Sequence, residues 1–164
     1  MNDNIDIEIT KRIWRGMTNS ETHARYYSKQ AHRWRIGEIL ITILILLSSV
    51  SSAMVLLVTI PNDISVVLFL LVALLTILDS VIGFSKNAAT SLLIKNQCRD
   101  IYYQWEKLWM EQGDIYFITK IADELEHRLE LTTSGEHLVN NSLNYEMSKE
   151  ADRVVTSRMS PNQE

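Results

Sequence analysis

Two groups of ionisable residues have types and spacings that could support chemistry. The first is a single carboxylate, Asp79, within the otherwise uncharged stretch 64–85. The second is a row of cations at four-residue spacing, Arg25, Lys29 and Arg33, with aromatic side chains among them. An acid in hydrocarbon is costly unless it meets water, a proton or a cation, and the planar guanidinium of arginine suits phosphate binding. The sequence therefore suggests an ionic site and an anion-binding face.

Catalytic chemistry finds little support in the sequence. The four histidines do not follow a metal-ligand spacing, and the single cysteine, Cys98, falls among apolar residues at helical spacing. The five glycines are scattered and form no phosphate-binding loop. No Ser-His-Asp or Cys-His arrangement can be proposed from spacing. We therefore expect a protein that is not an enzyme and has neither a metal site nor a cofactor.

Two apolar runs must position Asp79. Residues 39–62 contain no charged residue, and Asp79 is the only one in 64–85. Each run is close to the ~20 residues that cross a bilayer as a helix. We predict transmembrane helix 1 over 36–60, a turn at 61–63 and transmembrane helix 2 over 64–85. Because so short a link forces an antiparallel hairpin, both ends of the chain lie on one side of the lipid bilayer.

The distribution of lysine and arginine predicts which side that is. Cations precede the first run and follow the second, whereas the link contains none. The positive-inside rule then places both termini in the cytoplasm and makes the link periplasmic. The cations are Lys11, Arg12, Arg15, Arg25, Lys29, Arg33, Arg35, Lys86, Lys95 and Arg99.

The remaining segments are predicted to be mostly helical. Residues 1–17 form an N-terminal arm, because the alternation from Ile5 to Ile9 has the period of an extended segment. The capping-box pattern from Thr18 to Glu21 predicts the start of a basic cytoplasmic helix, 18–35, which continues into the first span because no proline intervenes. A long helix over 86–131 with a weak point near Gly113, a turn from Thr132, a polar C-terminal helix over 136–158 and a flexible tail over 159–164 follow.

The long helix carries an apolar seam with a period near 3.5 residues, which is typical of a coiled coil or helix bundle. One helix cannot bury such a seam alone. Its partner is the N-terminal helix, the next helix or another subunit, and Tyr102 and Trp109 beside it are expected to pack rather than to react. The seam consists of Ile94, Cys98, Ile101, Trp105, Leu108, Ile115, Ile118, Ala122, Leu125 and Leu129.

The basic face permits two interpretations. The simpler one is that its cations and Trp34 anchor the chain at lipid headgroups. The other is that part of the face binds a phosphate-bearing ligand, such as a nucleotide or short oligonucleotide, whose bases stack on neighbouring aromatic rings. The candidate ligand-binding residues are Arg12, Trp14, Arg15, Arg25, Tyr26, Lys29, Arg33 and Arg35.

Two segments carry a resemblance to a known family. The basic, aromatic sequence ARYYSKQAHRWR leads into two adjacent spans, and IKNQCRDIYYQWEKLW follows the second. This layout resembles the SLATT domain, a two-span membrane effector of bacterial conflict systems. The resemblance covers roughly 18–131. It implies an oligomeric pore in the bacterial inner membrane, encoded beside a partner nucleotidyltransferase or nucleotide sensor, that harms the infected cell and so limits phage. It supplies no catalytic residues.

A pore requires several subunits, because two spans per chain cannot enclose a water path. The expected fold class is therefore an all-α membrane protein: a two-span antiparallel transmembrane hairpin with a cytoplasmic N-terminal helix and long C-terminal helices, assembled as a homo-oligomer with cyclic symmetry, a tetramer being the first assembly to consider. The second span has the better claim to line the axis because it carries a carboxylate. The candidate pore or inner-mouth residues are Thr76, Asp79, Ser80 and Gly83.

Asp79 itself permits three interpretations. At 1.5 Å per residue it lies roughly 20–25 Å from the outer edge of the second span, within its inner third. It then pairs with a cation such as Arg33, Arg35 or Lys86, forms a ring of carboxylates at the inner mouth of a pore, or is an ordinary interfacial acid.

The functional hypothesis that follows is an ion channel gated by a nucleotide signal. The alternative is a non-conducting membrane anchor, scaffold or sensor subunit that docks a cytoplasmic partner through the seam. A half-transporter is less consistent with two spans that lack helices broken by glycine or proline.

Overall fold

The protein is all α-helical throughout the part of the chain that the computed structural model describes, which is residues 3–57, 62–110, 115–134 and 141–159. Within these ranges no strand occurs, and only Gly83 and Ser134 are non-helical. The five helices are α1 (Asp3–Leu57), α2 (Asn62–Ile82), α3 (Phe84–Met110), α4 (Ile115–Thr133) and α5 (Asn141–Met159). The all-α part of the predicted fold class is confirmed.

The N-terminal arm corrects two sequence predictions. Residues 3–17 are not extended, and no helix starts at Thr18, because α1 runs from Asp3 to Leu57. The Ser20 hydroxyl donates to the Gly16 carbonyl at 2.8 Å, and that of Thr22 donates to the Thr18 carbonyl at 2.7 Å. These hydroxyls bond backward to carbonyls one turn earlier in a continuing helix, so they do not cap a helix start. As predicted, α1 continues unbroken past residue 36.

The prediction of an extended segment from the alternation between Ile5 and Ile9 is wrong because a four-residue apolar repeat overlaps that alternation. Ile9, Ile13 and Met17 lie four residues apart, and all three pack against the core. Residues at this spacing share one face of a helix, so burial of that face favours helix over an extended arm.

Contacts divide the chain into two compact units. Unit 1 comprises Met1–Lys29 and Ser91–Glu164, and unit 2 comprises Gln30–Thr90. The core of unit 1 combines apolar faces of α1, α3, α4 and α5. The predicted seam is largely confirmed, because eight of its residues are buried: Cys98, Ile101, Trp105, Leu108, Ile118, Ala122, Leu125 and Leu129. Its partners are helices of the same chain.

The connections and the last helix were predicted only in part. The weak point near Gly113 lies outside the described residues, between the end of α3 at Met110 and the start of α4 at Ile115. The sequence predicts a turn from Thr132, but helix α4 extends through Thr133. Helix α5 is polar over most of its surface, and a stripe at four-residue spacing is buried: Leu143, Met147, Ala151 and Val155. Met159 still belongs to α5, and the rest of the predicted tail lies outside the described residues.

The second predicted span ends earlier than expected. Helix α2 stops at Ile82, and Gly83 has φ +62°, which glycine adopts without strain. The Gly83 N–H donates to the Asp79 carbonyl and the Asn87 N–H to the Gly83 carbonyl, each at 2.9 Å, so hydrogen bonding continues across the break. Asn62 already belongs to α2, and the remainder of the link before it lies outside the described residues.

In unit 2, α1 packs against the start of α3. The Trp34 and Phe84 rings meet edge to face, with centroids 5.6 Å apart. A Cβ atom at Gly37 would lie 2.6 Å from the Phe84 ring, so only glycine allows this approach.

The apolar residues of unit 2 are largely exposed. Among the described residues, one helical stretch, Phe69–Met110, is long and apolar enough to cross a membrane. Its most apolar window has a mean hydropathy of 1.9, and none of that window is buried. Val81 is 78% exposed and Leu70 65%, and exposed apolar surface of this kind is typical of contacts with a membrane or another protein.

Candidate functional site

The structure pairs Arg12, a predicted ligand residue, with two acids of α4. Its Nη2 atom lies 2.5 Å from Asp123 Oδ1 and 2.6 Å from Glu126 Oε2, and its Nε atom donates to Glu126 Oε1 at 2.9 Å. The hydrogen bonds that Arg12 donates to Glu126 and to Asp123 raise the pKa of Arg12 above its ordinary value. Arg12 therefore joins α1 to α4.

Two further predicted ligand residues pair with α5. Arg25 Nε lies 2.7 Å from Glu21 Oε1, Arg25 Nη1 lies 2.8 Å from Glu150 Oε1, and Lys29 Nζ lies 3.2 Å from Glu146 Oε1. The cations are four residues apart on α1 and their partners four apart on α5, so two complementary rows run antiparallel. A ligand at this face must compete with carboxylates of the same chain.

The aromatic candidates offer less than the sequence suggested. Tyr26 is 4% exposed and packs edge to face against Tyr27, so its ring has no free face on which a base could stack. Trp14 is half-buried, and its ring meets that of Trp109 at 6.1 Å. Trp109 and the buried Tyr102 pack, as predicted.

The other two cations of the predicted face lie in unit 2. Arg33 and Arg35 are exposed, and neither forms an ion pair with a described residue. The other six candidate ligand residues belong to unit 1.

A cavity of about 700 Å³ in unit 1 brings part of the predicted set together with residues that were not singled out. Arg12 and Arg15, two of the candidate ligand residues, line the cavity. Lys11 and Trp105 line it as well, although the sequence predicts only that Lys11 marks the cytoplasmic side of the membrane and that Trp105 packs in the seam. Its remaining lining residues are Ile7, Glu8, Gly16, Asn19, Glu126 and Leu129. No local pattern could reveal this grouping, because α1, α3 and α4 each contribute to it.

Gly16 brings the Trp105 ring close to α1. A Cβ atom at Gly16 would lie 2.4 Å from Trp105 Cε2, so any other residue would displace the ring. Trp105 is 0% exposed, and its indole N–H has no hydrogen-bond acceptor among the described residues. A buried donor without an acceptor costs about 1–3 kcal/mol.

The candidate pore residues lie around the end of α2. Asp79 is half-buried and forms no ion pair with a described residue, so of its three interpretations the pairing with Arg33, Arg35 or Lys86 is not seen within the single chain. The Thr76 hydroxyl donates to the Val72 carbonyl at 2.8 Å, Ser80 is exposed, and Gly83 forms the break after α2.

The other reactive side chains among the described residues do not form a candidate catalytic or metal site. Cys98 is fully buried, and burial raises the pKa of its thiol to about 12. Burial lowers the pKa of His23. Among the described residues, no group of three or more His, Cys, Asp or Glu side chains could hold a metal ion.

No protein-family model matches the chain, and neither a curated protein nor a solved structure matches it.

Proposed function

We propose that this protein is a homo-oligomeric ion channel of a bacterial inner membrane, acting as an effector in antiphage defence. Its two apolar segments form a hairpin that crosses the bilayer twice, with both termini in the cytoplasm. A nucleotide or short oligonucleotide made by a partner nucleotidyltransferase gates it, and activation impairs the host membrane.

The observation that carries this proposal is the environment of Asp79. It lies on an apolar helix whose neighbouring side chains Ile77 and Val81 are exposed, and no described cation compensates it. An ionised carboxylate within a bilayer costs ~2.5 kcal/mol or more on insertion scales. A ring of such carboxylates around a water-filled axis removes most of that cost, because each acid is then hydrated.

Assembly follows from the same surface. The exposed apolar side chains of α1 and α2 need lipid or another subunit around them, and two spans cannot enclose water. Cyclic symmetry closes such an assembly with one repeated interface, and a tetramer is the first to test. A ligand gates the channel only to the extent that it binds the open and closed states with different affinity.

Ion flux from liposomes that contain the purified full-length chain tests the channel. Asp79→Asn removes the charge at nearly constant volume and should change cation permeation. Glu38→Gln, which removes an acid of α1 in the same unit, serves as the matched control and should not. If the folded, oligomeric protein gives no flux with or without added nucleotides, the channel proposal fails.

A non-conducting anchor that docks a cytoplasmic protein is the second candidate. It is favoured by large apolar side chains exposed on unit 1, including Met110 at 70% and Phe117 at 54%. Overexpression separates the two functions, because a channel should collapse the membrane potential and arrest growth, whereas an anchor should not.

A further inference from the structure

The cavity of unit 1 combines positive charge, negative charge and apolar surface along one face of α1. Glu8, Lys11, Arg12, Arg15 and Asn19 follow helical spacing and all line it. At 1.5 Å per residue, this face extends about 16 Å along the helix. The volume of about 700 Å³ lies within the range of small-molecule sites, which excludes a long oligonucleotide as the occupant.

The end of the cavity near Gly16 can bind an anion. Arg15 is exposed and forms no ion pair with a described residue, and Asn19 lies one turn further along α1. Trp105 lies against Gly16 at this level and lines the cavity with its buried ring. Arg15 and Asn19 present side-chain donors on the same exposed face of α1, and a phosphate group supplies acceptors for both.

The middle of the cavity is close to electrically balanced. Arg12 is held by Asp123 and Glu126, so its charge is already compensated. Lys11 has no ion pair with any residue that the structure describes. It is therefore the second cation available to an anionic ligand.

The other end, near Ile7, has different chemistry. Glu8 lines it and has no cation within ion-pair distance among the described residues. A plain inorganic anion would be repelled there. A ligand that carries phosphate at one end and N–H donors on a flat apolar group at the other matches both ends, because its donors bond to the carboxylate and its apolar surface covers Ile7.

We infer that this cavity is a binding site for a mononucleotide-sized or dinucleotide-sized ligand. Its phosphate contacts Arg15 and Lys11, and an amino-bearing base contacts Glu8. This inference rests on the proposed control of the channel by a nucleotide. It moves that control away from Arg25 and Lys29, which α5 already pairs.

The test uses the full-length protein in detergent, with binding measured by calorimetry and by thermal stabilisation. CMP and UMP are the main probes, since CMP has an amino group where UMP has a carbonyl oxygen. Inorganic phosphate and cytidine are the partial probes. CMP should bind about tenfold more tightly than UMP, because one hydrogen bond to a charged group is gained and one repulsion is avoided. Each partial probe should bind more weakly than CMP.

Three variants examine the two ends. Arg15→Gln should weaken CMP binding about tenfold, and Lys11→Gln should weaken it about fivefold. Glu8→Gln should abolish the preference for CMP over UMP. Arg99→Gln, which removes an exposed arginine of α3 outside the cavity, is the matched control and should leave both affinities unchanged.

The outcomes separate the site from the channel. Absence of saturable binding by any nucleoside monophosphate overturns the site, as does equal weakening by Arg15→Gln and Arg99→Gln. Equal affinity for CMP and UMP in the unchanged protein overturns the role of Glu8. Binding as described without flux in liposomes supports the site and rejects the channel, whereas flux without binding does the reverse.

Discussion

Replacing Gly16 with alanine should destabilise the protein, although the same change is stabilising in most helices. Alanine within a helix gains about 0.5–1 kcal/mol over glycine. At Gly16, however, a Cβ atom would lie 2.4 Å from Trp105 Cε2 and 2.6 Å from Cζ2. These atoms belong to a rigid, fully buried ring, so it cannot move away at low cost.

The magnitude follows from the two opposing terms. Overpacking of a core costs about 1–3 kcal/mol, and subtracting the helix-propensity gain leaves a net loss of about 1 kcal/mol at the middle of both ranges. At about 2–4 °C per kcal/mol for a chain of this size, Tm should fall by about 2–4 °C. Thermal unfolding of the full-length chain in detergent, followed by tryptophan fluorescence and circular dichroism, measures this. Asn19→Ala, one turn away on the exposed side, is the control and should not lower Tm.

A double-mutant cycle assigns the effect to the ring. In a Trp105→Phe background the smaller ring leaves room for the new methyl group, so the cost of Gly16→Ala should fall by at least half. A rise in Tm for Gly16→Ala, or an equal cost in both backgrounds, would refute the close approach of Trp105 to α1.

Three further outcomes follow from the described contacts. Cys98, buried and with its pKa raised to about 12, should not react with thiol reagents until the protein unfolds, and stopped-flow labelling in denaturant checks this. Burial lowers the His23 pKa from its ordinary 6.5, so the unfolded chain binds a proton at a higher pH than the folded chain does. Tm should therefore fall as the pH drops below about 6.5. Thermal melts at a series of pH values check this, and His23→Gln should make Tm depend less on pH. Lys29→Glu should cost up to about 1 kcal/mol by repelling Glu146, and adding Glu146→Lys should restore Tm at low salt but change little at high salt.

Part of the fold followed from local patterns. The seam from Cys98 to Leu129 was read from its spacing, and burial of that face confirms it. The uncharged runs likewise predicted long apolar helices. Such features depend on residues a few positions apart, which lie on one helix face whatever the rest of the chain does.

The wrong predictions concern segments in which two sequence periodicities overlap or in which a single glycine changes the backbone conformation. The alternation near Ile7 predicts an extended segment, but the segment is helical. Ile9 and Ile13 lie on one face of the helix, and burial of that face is favourable only because partner helices pack against it. The second apolar run predicts one helix to residue 85. The helix ends earlier because Gly83 adopts a left-handed conformation, which a hydropathy pattern cannot predict.

The sequence by itself determined that this protein is helical, that two of its segments are apolar and that a group of cations precedes the first of them, because these properties belong to short segments. Only the tertiary structure decided which cations are available. Arg12 meets Glu126 at a separation of 114 residues, and Lys29 meets Glu146 at 117. Pairing across such distances depends on how α4 and α5 pack on α1, and the same packing places the Trp105 ring against Gly16. The candidate ligand site therefore lies where long-range packing left Lys11 and Arg15 without described carboxylate partners, and not on the row of Arg25 and Lys29, which α5 pairs.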